Sequence, residues 1–549
     1  MNIHDLISNM TLQEKVGQLF MLAFAGNQLD YAQEMLVSNL VGACYISQDN
    51  AETPQQAWNL ANNLQNFAAM TPKKIPLILG ADQEGAWGVL VPYSCTGPGN
   101  LELGAADNPE ITKKMYQVIG QELNAVGYNT LLAPCVDVNS NPENVILGSR
   151  SFGAFQSKVA VHAGAAVIGA REGNVITTAK HYPGHGDTRQ DSHRMLPTVN
   201  RSLEELESID LIPFQAAIDV GVDIIMTAHI LYPKIDPVFP ATMSRVLLTD
   251  ILRTKMGFKG VILSDSMNMF AIRKNYAPDE AAILAILAGV DLIMLAEEHY
   301  DHSQQYIEKQ LVTVNGVINA VNSGRIPVSR LDDAVLHVLS LKYERGLFDR
   351  KPIPEGYDLV GTLANRGIEA YAAESGIVLV KDERNLLKKI KSTRIAVVRT
   401  TPLNSYTILA NTRGIGPNQN IPAYDDFIKE LTRLIPSTSF LTYEDCYSID
   451  DLPEVLSDVD VIIGVTEDYP LPGVDFEKKE QHILVRDLIE MFSQKLIVVG
   501  LCPPYEINYF EGVQTYISAC SSRSCAAIAS AKALAGIIEC KGTLPVQIE

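Results

Sequence analysis

The chain has 549 residues, which is too long for one ordinary domain, so we expect two domains that each bury a full core. Hydrophobic residues make up 47% of the sequence and charged residues 20%, values that are typical of a folded soluble protein. The 44 Lys and Arg residues against 64 Asp and Glu residues give a formal net charge of −20. A surface this acidic repels phosphate backbones and anionic lipid, so neither nucleic acid nor a membrane is expected as a partner. No obligate protein partner is evident either.

The first twenty residues, MNIHDLISNMTLQEKVGQLF, predict an amphipathic helix rather than a signal peptide. Thr11 is expected to be the N-cap of this helix, and Glu14 is expected to close a capping box. No stretch elsewhere reaches the roughly 18 uninterrupted apolar residues of a membrane-spanning helix. The eight cysteines are scattered without a CxxC pair, which favours free thiols in a reducing compartment and therefore a cytoplasmic location.

Short apolar runs then alternate with helical patterns as far as about Leu339. The runs are VGACYIS, PLILGAD, TLLAPCVDV, VITTAKHY, DIIMTAH, GVILSDS and DLIMLA. They are β-branched and apolar on both sides, as buried parallel strands are, and the segments between them have room for crossover helices. The pattern predicts an α/β protein whose residues 1–345 form a (β/α)8 barrel.

The stretch RGLFDRKPIPEGYDLVG, rich in proline and glycine, predicts a linker over residues 346–370. Six further apolar runs follow it: SGIVLVKD, TRIAVVRT, TSFLTY, VIIGVTE, KLIVVGL and TYISAC. They predict a C-terminal α/β sandwich domain with a largely parallel sheet over residues 371–549. Because GxGxxG and Walker A patterns are missing, no nucleotide is expected, and no other cofactor is indicated.

The apolar runs of the predicted barrel tend to end in an ionisable residue. The residues in question are Asp82, Asp137, Lys180, His181, His229 and Asp265. Catalytic groups of parallel barrels lie at the carboxyl ends of the strands, where loops can surround a substrate. Any single one of these residues could instead be a cap or a salt-bridge partner. Five such strand ends in order along one barrel favour an active site.

Three histidines and two aspartates stand in the segment KHYPGHGDTRQDSH, which begins at Lys180. Such residues are good zinc ligands, but the spacings HExxH and paired CxxC are absent. The proline and glycines of the segment favour turns in which His185 and Asp187 bond backbone groups, so no metal is expected. Asp191 and His193 instead predict a proton-transfer pair, because side chains two residues apart in an extended loop point the same way. Contact with the carboxylate would fix the imidazole tautomer and leave one nitrogen to exchange a proton with a substrate.

This segment resembles the loop of the β-N-acetylglucosaminidases of glycoside hydrolase family 3, in which an Asp–His dyad is the general acid/base. Other segments that resemble the family are ADQEG, LLAPCVDVNSNPENVILGSRSFG, MTAHILYP, FPATMSRVLLTDILRTKMGFKGVILSDSMNM and GTLPVQI. Relatives that act on β-glucosides lack the dyad. The resemblance implies a retaining exo-enzyme that releases terminal N-acetylglucosamine from cell-wall-derived muropeptides or chitin-type oligosaccharides. It also implies a covalent glycosyl-enzyme intermediate.

The resemblance further implies a role for individual residues. Asp265 would be the nucleophile, His193 the acid/base and Asp191 its orienting partner. The residues implied to hold the sugar hydroxyls are Asp82, Arg150, Lys180 and His181. These roles agree with the chemistry, because a retaining glycosidase needs one carboxylate to attack the anomeric carbon and one acid to protonate the departing oxygen.

The sequence departs from the family pattern after DQEG. Ala86 and Trp87 stand at the usual Gly-Arg positions, and Leu90 replaces a second arginine that helps to bind the sugar in relatives. Trp87 could stack on a sugar face or pack into the barrel mouth. One hydroxyl contact is therefore missing or supplied from elsewhere, which leaves the sugar preference open.

Three alternative functions follow from these features. The first is a β-glycosidase or a β-N-acetylglucosaminide phosphorylase of altered sugar preference, since His193 puts less negative charge beside the anomeric carbon than a carboxylate would. The second is a catalytically silent sugar-binding protein, which would have no need for Asp265, Asp191 and His193 together. The third is a metal-dependent hydrolase.

Overall fold

The computed structural model describes residues 2–27, 29–86, 88–144, 146–296, 304–349, 353–390, 394–411, 419, 421–469 and 476–548. Its first sheet has eight strands: β1 Phe20–Leu22, β2 Ala43–Ile46, β3 Ile78–Ala81, β4 Thr130–Leu131, β5 Ile176–Tyr182, β6 Ile224–Thr227, β7 Val261–Leu263 and β8 Ile293–Leu295. They pair in parallel in the order β7-β6-β5-β4-β3-β2-β1-β8. A parallel bridge between Leu263 and Leu292 joins the two ends of the sheet. The predicted N-terminal barrel is confirmed.

Helices surround the barrel strands on the outside. They are α1 Ile3–Ser8, α2 Leu12–Gly17, α3 Leu29–Gln33, α4 Pro54–Met70, α5 Asn100–Ala106, α6 Pro109–Ala125, α7 Gln156–Glu172, α8 Leu203–Ser208, α9 Leu211–Asp219, α10 Phe270–Arg273, α11 Pro278–Ala288, α12 Gln304–Asn322 and α13 Val328–Glu344, with π-helical turns over Glu34–Ser38 and Val246–Lys255. α4 shows how the sequence specifies them. Thr53 caps its first turn by accepting the Gln56 N–H, and Leu60 and Leu64, one turn apart, face the core.

The start of the chain differs from the expected single helix. The capping box is present, since Thr11 Oγ1 accepts the Glu14 N–H at 3.2 Å and Glu14 Oε2 accepts the Thr11 N–H at 2.7 Å. The stretch nevertheless forms two short helices, α1 and α2, followed by β1. The first strand has only the three residues from Phe20 to Leu22, too short a run to stand out from the helical pattern that precedes it.

The C-terminal domain contains β9 Val378–Asp382, β10 Ile395–Arg399, β11 Ser439–Leu441, β12 Val461–Glu467, β13 Leu496–Leu501 and β14 Thr515–Ser518. Its helices are α14 Leu363–Gly376, α15 Ala423–Leu434, α16 Tyr443–Ser448, α17 Leu452–Val455, α18 Lys479–Phe492 and α19 Ser524–Leu534. The strand order is β11-β10-β12-β13-β14-β9, and the pairs are parallel except that β9 runs antiparallel to β14. The largely parallel sheet is thus confirmed. α14 crosses the expected end of the linker at residue 370, and the division into domains stays an expectation.

The C-terminal domain contacts loops at the carboxyl end of the barrel. The Tyr505 hydroxyl donates to the Asn139 carbonyl at 3.2 Å, and the Ala154 N–H donates to the Pro545 carbonyl at 3.0 Å. All eight cysteines are free thiols. In the part of the chain that the structure describes, no helix combines the length and the apolarity that crossing a membrane requires.

A buried lysine at the opposite end of the barrel leads to a prediction about stability. Lys342 of α13 is fully buried, and its Nζ donates to Gln18 Oε1 at 2.7 Å and to the Gly42 carbonyl at 2.9 Å. Burial lowers the pKa of Lys342 from its ordinary value of 10.5 to about 7. Between these two values the unfolded chain binds more protons than the native state, so the contribution of Lys342 to stability rises with pH and is lost as the pH falls through about 7.

We therefore expect Lys342→Met to remove this gain. Thermal unfolding of both proteins across that pH range should show the wild type gaining stability relative to the variant as the pH rises. Lys541→Met is the control, because the Lys541 side chain is 73% exposed, and it should follow the wild type. Parallel pH curves for Lys342→Met and the wild type would contradict the prediction.

Candidate active site

The strand ends that the sequence singles out meet at the carboxyl end of the barrel. Asp82 follows β3 directly, Lys180 and His181 lie in the last part of β5, and Asp265 lies two residues beyond β7. Arg150 comes from a short turn in the loop after β4. The structure places all of the predicted site residues at this one end of the barrel.

Three of these side chains, Asp82, Arg150 and Lys180, form a buried charge cluster with Glu84. Arg150 donates through Nε to Glu84 Oε2 at 2.6 Å and through Nη2 to Glu84 Oε1 at 3.0 Å. Lys180 Nζ lies 2.5 Å from Glu84 Oε1 and 2.7 Å from Asp82 Oδ1. The Tyr45 hydroxyl donates to the other oxygen of Asp82 at 2.9 Å.

Electrostatics keep Glu84, Arg150 and Lys180 of the buried charge cluster ionised. Burial favours the neutral form of Glu84, but Arg150 and Lys180 outweigh it and hold the pKa of this carboxyl well below its ordinary value. The same pairing raises the pKa of both cations despite their burial. In the described structure the bonds of Arg150 use Nε and Nη2, so the N–H groups of Nη1 can serve sugar hydroxyls. Glu84 is not among the residues predicted for the site, although it lies inside the segment ADQEG.

Asp137 and His181 form a second pair beside the cluster. His181 Nδ1 lies 2.8 Å from Asp137 Oδ2, and the His181 backbone N–H donates to the same carboxylate. Asp137 is fully buried. Burial would raise its pKa, but His181 and His185 lower the pKa of Asp137 to about 2. The strand-end pattern had pointed to Asp137 without giving it a role.

The predicted dyad is formed on the loop after β5. Asp191 Oδ1 lies 2.5 Å from His193 Nδ1 and also accepts the His193 backbone N–H at 2.8 Å. The segment is a turn rather than the extended stretch that the sequence argument assumed, because the Asp191 carbonyl accepts the N–H groups of the third and fourth residues after it. The carboxylate reaches its partner by folding back on its own chain, as Asp side chains do in turns.

The dyad loop is fastened to the barrel on both sides. Gly186 passes so close to the loop after β4 that a Cβ there would lie 1.6 Å from the Val138 carbonyl oxygen. The Tyr232 hydroxyl donates to the Gly184 carbonyl at 2.5 Å. Beyond the dyad, the Ala271 N–H of α10 donates to the carbonyl of Ser192 at 3.2 Å, which connects the loop to the segment that follows Asp265.

Asp265 is held in its charged form. Burial works to raise the pKa of Asp265, but three histidines, His229, His181 and His193, act in the opposite direction. The Ser266 N–H, 2.7 Å from Oδ1, adds to their effect, and the pKa of Asp265 lies below its ordinary value. His229 itself has a lowered pKa because it is buried, and its ring bonds Thr242 and the Ser266 carbonyl. An ionised carboxylate within the electrostatic influence of His193 can act as a nucleophile.

One group of side chains in the site has the spacing of metal ligands, namely Cys135, Asp137 and His181. Its atoms already bond one another, since the Cys135 thiol donates to Asp137 Oδ2 at 3.2 Å and His181 Nδ1 bonds the same oxygen. Burial raises the pKa of Cys135 well above its usual range, and a protonated thiol is a poor ligand. The histidines of the dyad loop are not part of this group: His185 bonds Thr188 and Ser192.

The positions where the sequence departs from the family pattern are only partly described. Leu90 is 1% exposed and packs in the barrel core, and Ala86 is buried as well. Trp87, for which a stacking or packing role was considered, lies outside the described residues. Leu90 therefore offers no group to a sugar hydroxyl.

Comparison with known proteins agrees with this architecture. Residues 11–341 match the family description Glycosyl hydrolase family 3 N terminal domain. A solved glycoside hydrolase family 3 beta-N-acetylglucosaminidase from Paenibacillus sp. str. FPU-7 superposes with a TM-score of 0.85 at 31% identity, covering 98% of this chain and 99% of that one. Beta-hexosaminidase A of Pseudoalteromonas piscicida is 26% identical over 558 residues, which cover 92% of this chain and 89% of that protein. The Beta-N-acetylglucosaminidase/beta-glucosidase of Cellulomonas fimi is 28% identical over 398 residues, 70% of this chain and 67% of its own length.

A parallel (β/α)8 barrel with ionised and hydrogen-bonded side chains gathered at its carboxyl end has the organisation of a barrel enzyme. The chain belongs to glycosyl hydrolase family 3, as the resemblance of its loop segments implied. It is a glycoside hydrolase.

The buried charge cluster leads to a prediction about Glu84. Glu84→Gln keeps the shape of the side chain but leaves Arg150 and Lys180 with one carboxylate between them. We expect a loss of about 3–5 kcal/mol in the free energy of unfolding, because breaking a buried ion pair strands the remaining charge. Sugar affinity measured by calorimetry should fall as well, since both cations lose the group that orients them.

The matched control is Glu172→Gln, which breaks an exposed pair with Lys113. That variant should lose little stability, because exposed ion pairs contribute little, and it should bind sugar as the wild type does. If Glu84→Gln proved as stable as Glu172→Gln, the prediction that Glu84 stabilises the fold through the buried charge cluster would be wrong.

Proposed function

We propose that the chain is a retaining exo-β-N-acetylglucosaminidase that acts on cell-wall-derived muropeptides or chitin-type oligosaccharides. The observation that carries the proposal is the Asp191–His193 pair on a loop fastened beside the ionised Asp265. A retaining glycosidase needs a nucleophilic carboxylate and an acid/base, and these residues supply both. The acetamido sugar is supported by the Paenibacillus and Pseudoalteromonas relatives, whose names are beta-N-acetylglucosaminidase and beta-hexosaminidase. A cytoplasmic role in recycling imported wall fragments is part of the same proposal.

In the first step, His193 donates the Nε2 proton to the glycosidic oxygen while Asp265 attacks the anomeric carbon. The bond from carbon to the leaving oxygen breaks as the bond to the Asp265 oxygen forms. The Asp191 carboxylate accepts the Nδ1 proton, which orients the imidazole and leaves Nε2 for the transfer. The sugar hydroxyls are held by the buried charge cluster and by His181.

In the second step, His193 is neutral and acts as the base. Its Nε2 takes a proton from water, the water oxygen bonds to the anomeric carbon, and the Asp265 carboxylate is released with the configuration retained overall. An imidazole suits both steps because its unperturbed pKa, roughly 6.5, lies near neutral pH.

A second candidate is a β-glycosidase of altered sugar preference, and the buried Leu90 favours it. The name of the Cellulomonas fimi relative, Beta-N-acetylglucosaminidase/beta-glucosidase, fits such a broader preference. Phosphorolysis belongs to the same candidate, because a neutral imidazole repels phosphate less than a carboxylate would. Formation of a sugar 1-phosphate at high phosphate concentration would distinguish it from hydrolysis.

The sugar preference gives the first test of the proposal. We expect the rate on an aryl β-N-acetylglucosaminide to exceed the rate on the matching aryl β-glucoside by at least about tenfold. A site that hydrogen-bonds a substrate group discriminates strongly against the analogue that lacks it. Preference for the glucoside, or no turnover of either substrate, would overturn the main proposal.

The role of His193 gives the second test. His193→Ala should slow substrates with poor leaving groups by about 10²–10⁴-fold and activated aryl glycosides much less, because only a poor leaving group needs a proton in the transition state. Asp265→Asn is the comparison, since loss of the nucleophile should stop both substrates while sugar binding is largely kept. Equal losses on both substrates for His193→Ala would show that it is not the acid.

A further inference from the structure

We propose that Asp137 is a positioning residue that sets the sugar-binding His181 and the acid/base His193 relative to each other. The inference rests on the proposed glycosidase function and extends it to a residue outside the dyad. Asp137 is fully buried between the end of β4 and the end of β5. Its two oxygens accept hydrogen bonds from both halves of the site.

Asp137 determines the tautomer of His181. Asp137 is ionised and can only accept, so the bond of 2.8 Å between its Oδ2 and His181 Nδ1 places the ring proton on Nδ1. Nε2 of His181 then carries a lone pair, which lies 3.4 Å from Arg150 Nη2. In this tautomer His181 accepts a hydrogen bond from a sugar hydroxyl, with Arg150 able to donate beside it.

Asp137 also holds the beginning of the dyad loop in place through His185. Asp137 Oδ1 accepts the backbone N–H of His185 at 2.7 Å. The Thr188 hydroxyl donates to the His185 carbonyl at 3.0 Å, so it accepts the His185 Nδ1 proton at 2.7 Å. His185 Nε2 is left as an acceptor for the hydroxyl of Ser192 at 3.3 Å, and Ser192 is the residue between the two members of the dyad.

A single carboxylate therefore connects the group that holds the sugar with the loop that delivers the proton. Burial lowers the pKa of His185 to about 4, so its ring stays neutral and keeps the tautomer that Ser192 requires at working pH. A misplacement of about 1 Å at a reacting group can cost about 10²-fold in rate. Asp137 lies on the loop after β4, two residues beyond the bridge that pairs Cys135 with Lys180 of β5, so it gives both histidines a common reference outside the dyad loop.

The test compares Asp137→Asn with the wild type. An amide has one acceptor oxygen, so it cannot accept from His181 and from His185 as the carboxylate does. We expect kcat/KM on an alkyl β-N-acetylglucosaminide, which has a poor leaving group, to fall by about 10²-fold, and that on an activated aryl substrate by about tenfold or less. Trypsin should also cleave the dyad loop several-fold faster after Arg189, whose side chain is 74% exposed.

Asp291→Asn is the matched control, because Asp291 is an equally buried carboxylate paired with Arg253 and Arg330 at the amino end of the barrel. This variant should have lower thermal stability. Its kcat/KM should change by the same factor on both substrates, and trypsin should cleave after Arg189 at the wild-type rate. If Asp137→Asn fails to fold, Ser192→Ala is the substitute, because it removes only the hydrogen bond between His185 and the loop. Its kcat/KM should again fall more on the alkyl than on the aryl substrate, but by a smaller factor than in Asp137→Asn.

The inference would be wrong if Asp137→Asn lost kcat/KM equally on both substrates and trypsin cleaved it after Arg189 at the wild-type rate. It would also be wrong if Ser192→Ala lost kcat/KM equally on both substrates. If the wild type turned over no N-acetylglucosaminide, the proposed function would fall instead. The cleavage comparison needs no substrate, so it would still decide whether Asp137 anchors the loop.

Discussion

The carboxylate of Glu84 is fully buried and charged, and the side chains around it compensate for the loss of water. Arg150 and Lys180 balance that charge, and Asp82 balances the second cation, so four charges from three separate parts of the barrel are fixed relative to one another. A buried charge without partners is strongly destabilising. The loss of one of these charged side chains would therefore destabilise the others. The donors that would meet sugar hydroxyls are therefore in place before any substrate arrives.

The C-terminal domain contacts loops at the carboxyl end of the barrel. In its sheet the strand order reverses between β10 and β12, a place where α/β sheets often bind ligands. Glu467 at the end of β12 is fully buried there, and it accepts hydrogen bonds from the hydroxyls of Tyr406 and Tyr469. Protein side chains thus occupy the crevice. The domain packs against the barrel through contacts such as that between Tyr505 and the loop after β4.

The sequence was sufficient for the fold because buried parallel strands leave apolar runs with ionisable ends. It missed β1, whose three residues are too few to make a pattern. The dyad could be predicted because Asp191 and His193 are neighbours in sequence, although the turn that joins them could not. Glu84 could not be recognised as central, since its partners Arg150 and Lys180 lie far away along the chain. Only the closed barrel brings these three together.

The charges that remain near the anomeric position explain why an imidazole suits this site. The buried charge cluster is balanced within itself, and Asp137 is saturated by donors from His181 and His185. In the proposed mechanism, Asp265 would face a developing oxocarbenium ion as an anion whose pKa is lowered by three histidines. A second carboxylate in place of His193 would raise the pKa of Asp265 through repulsion and weaken it as a nucleophile. In the proposed mechanism, a neutral base at His193 would avoid that conflict, and Asp191 would stabilise the imidazolium from the far side of the ring.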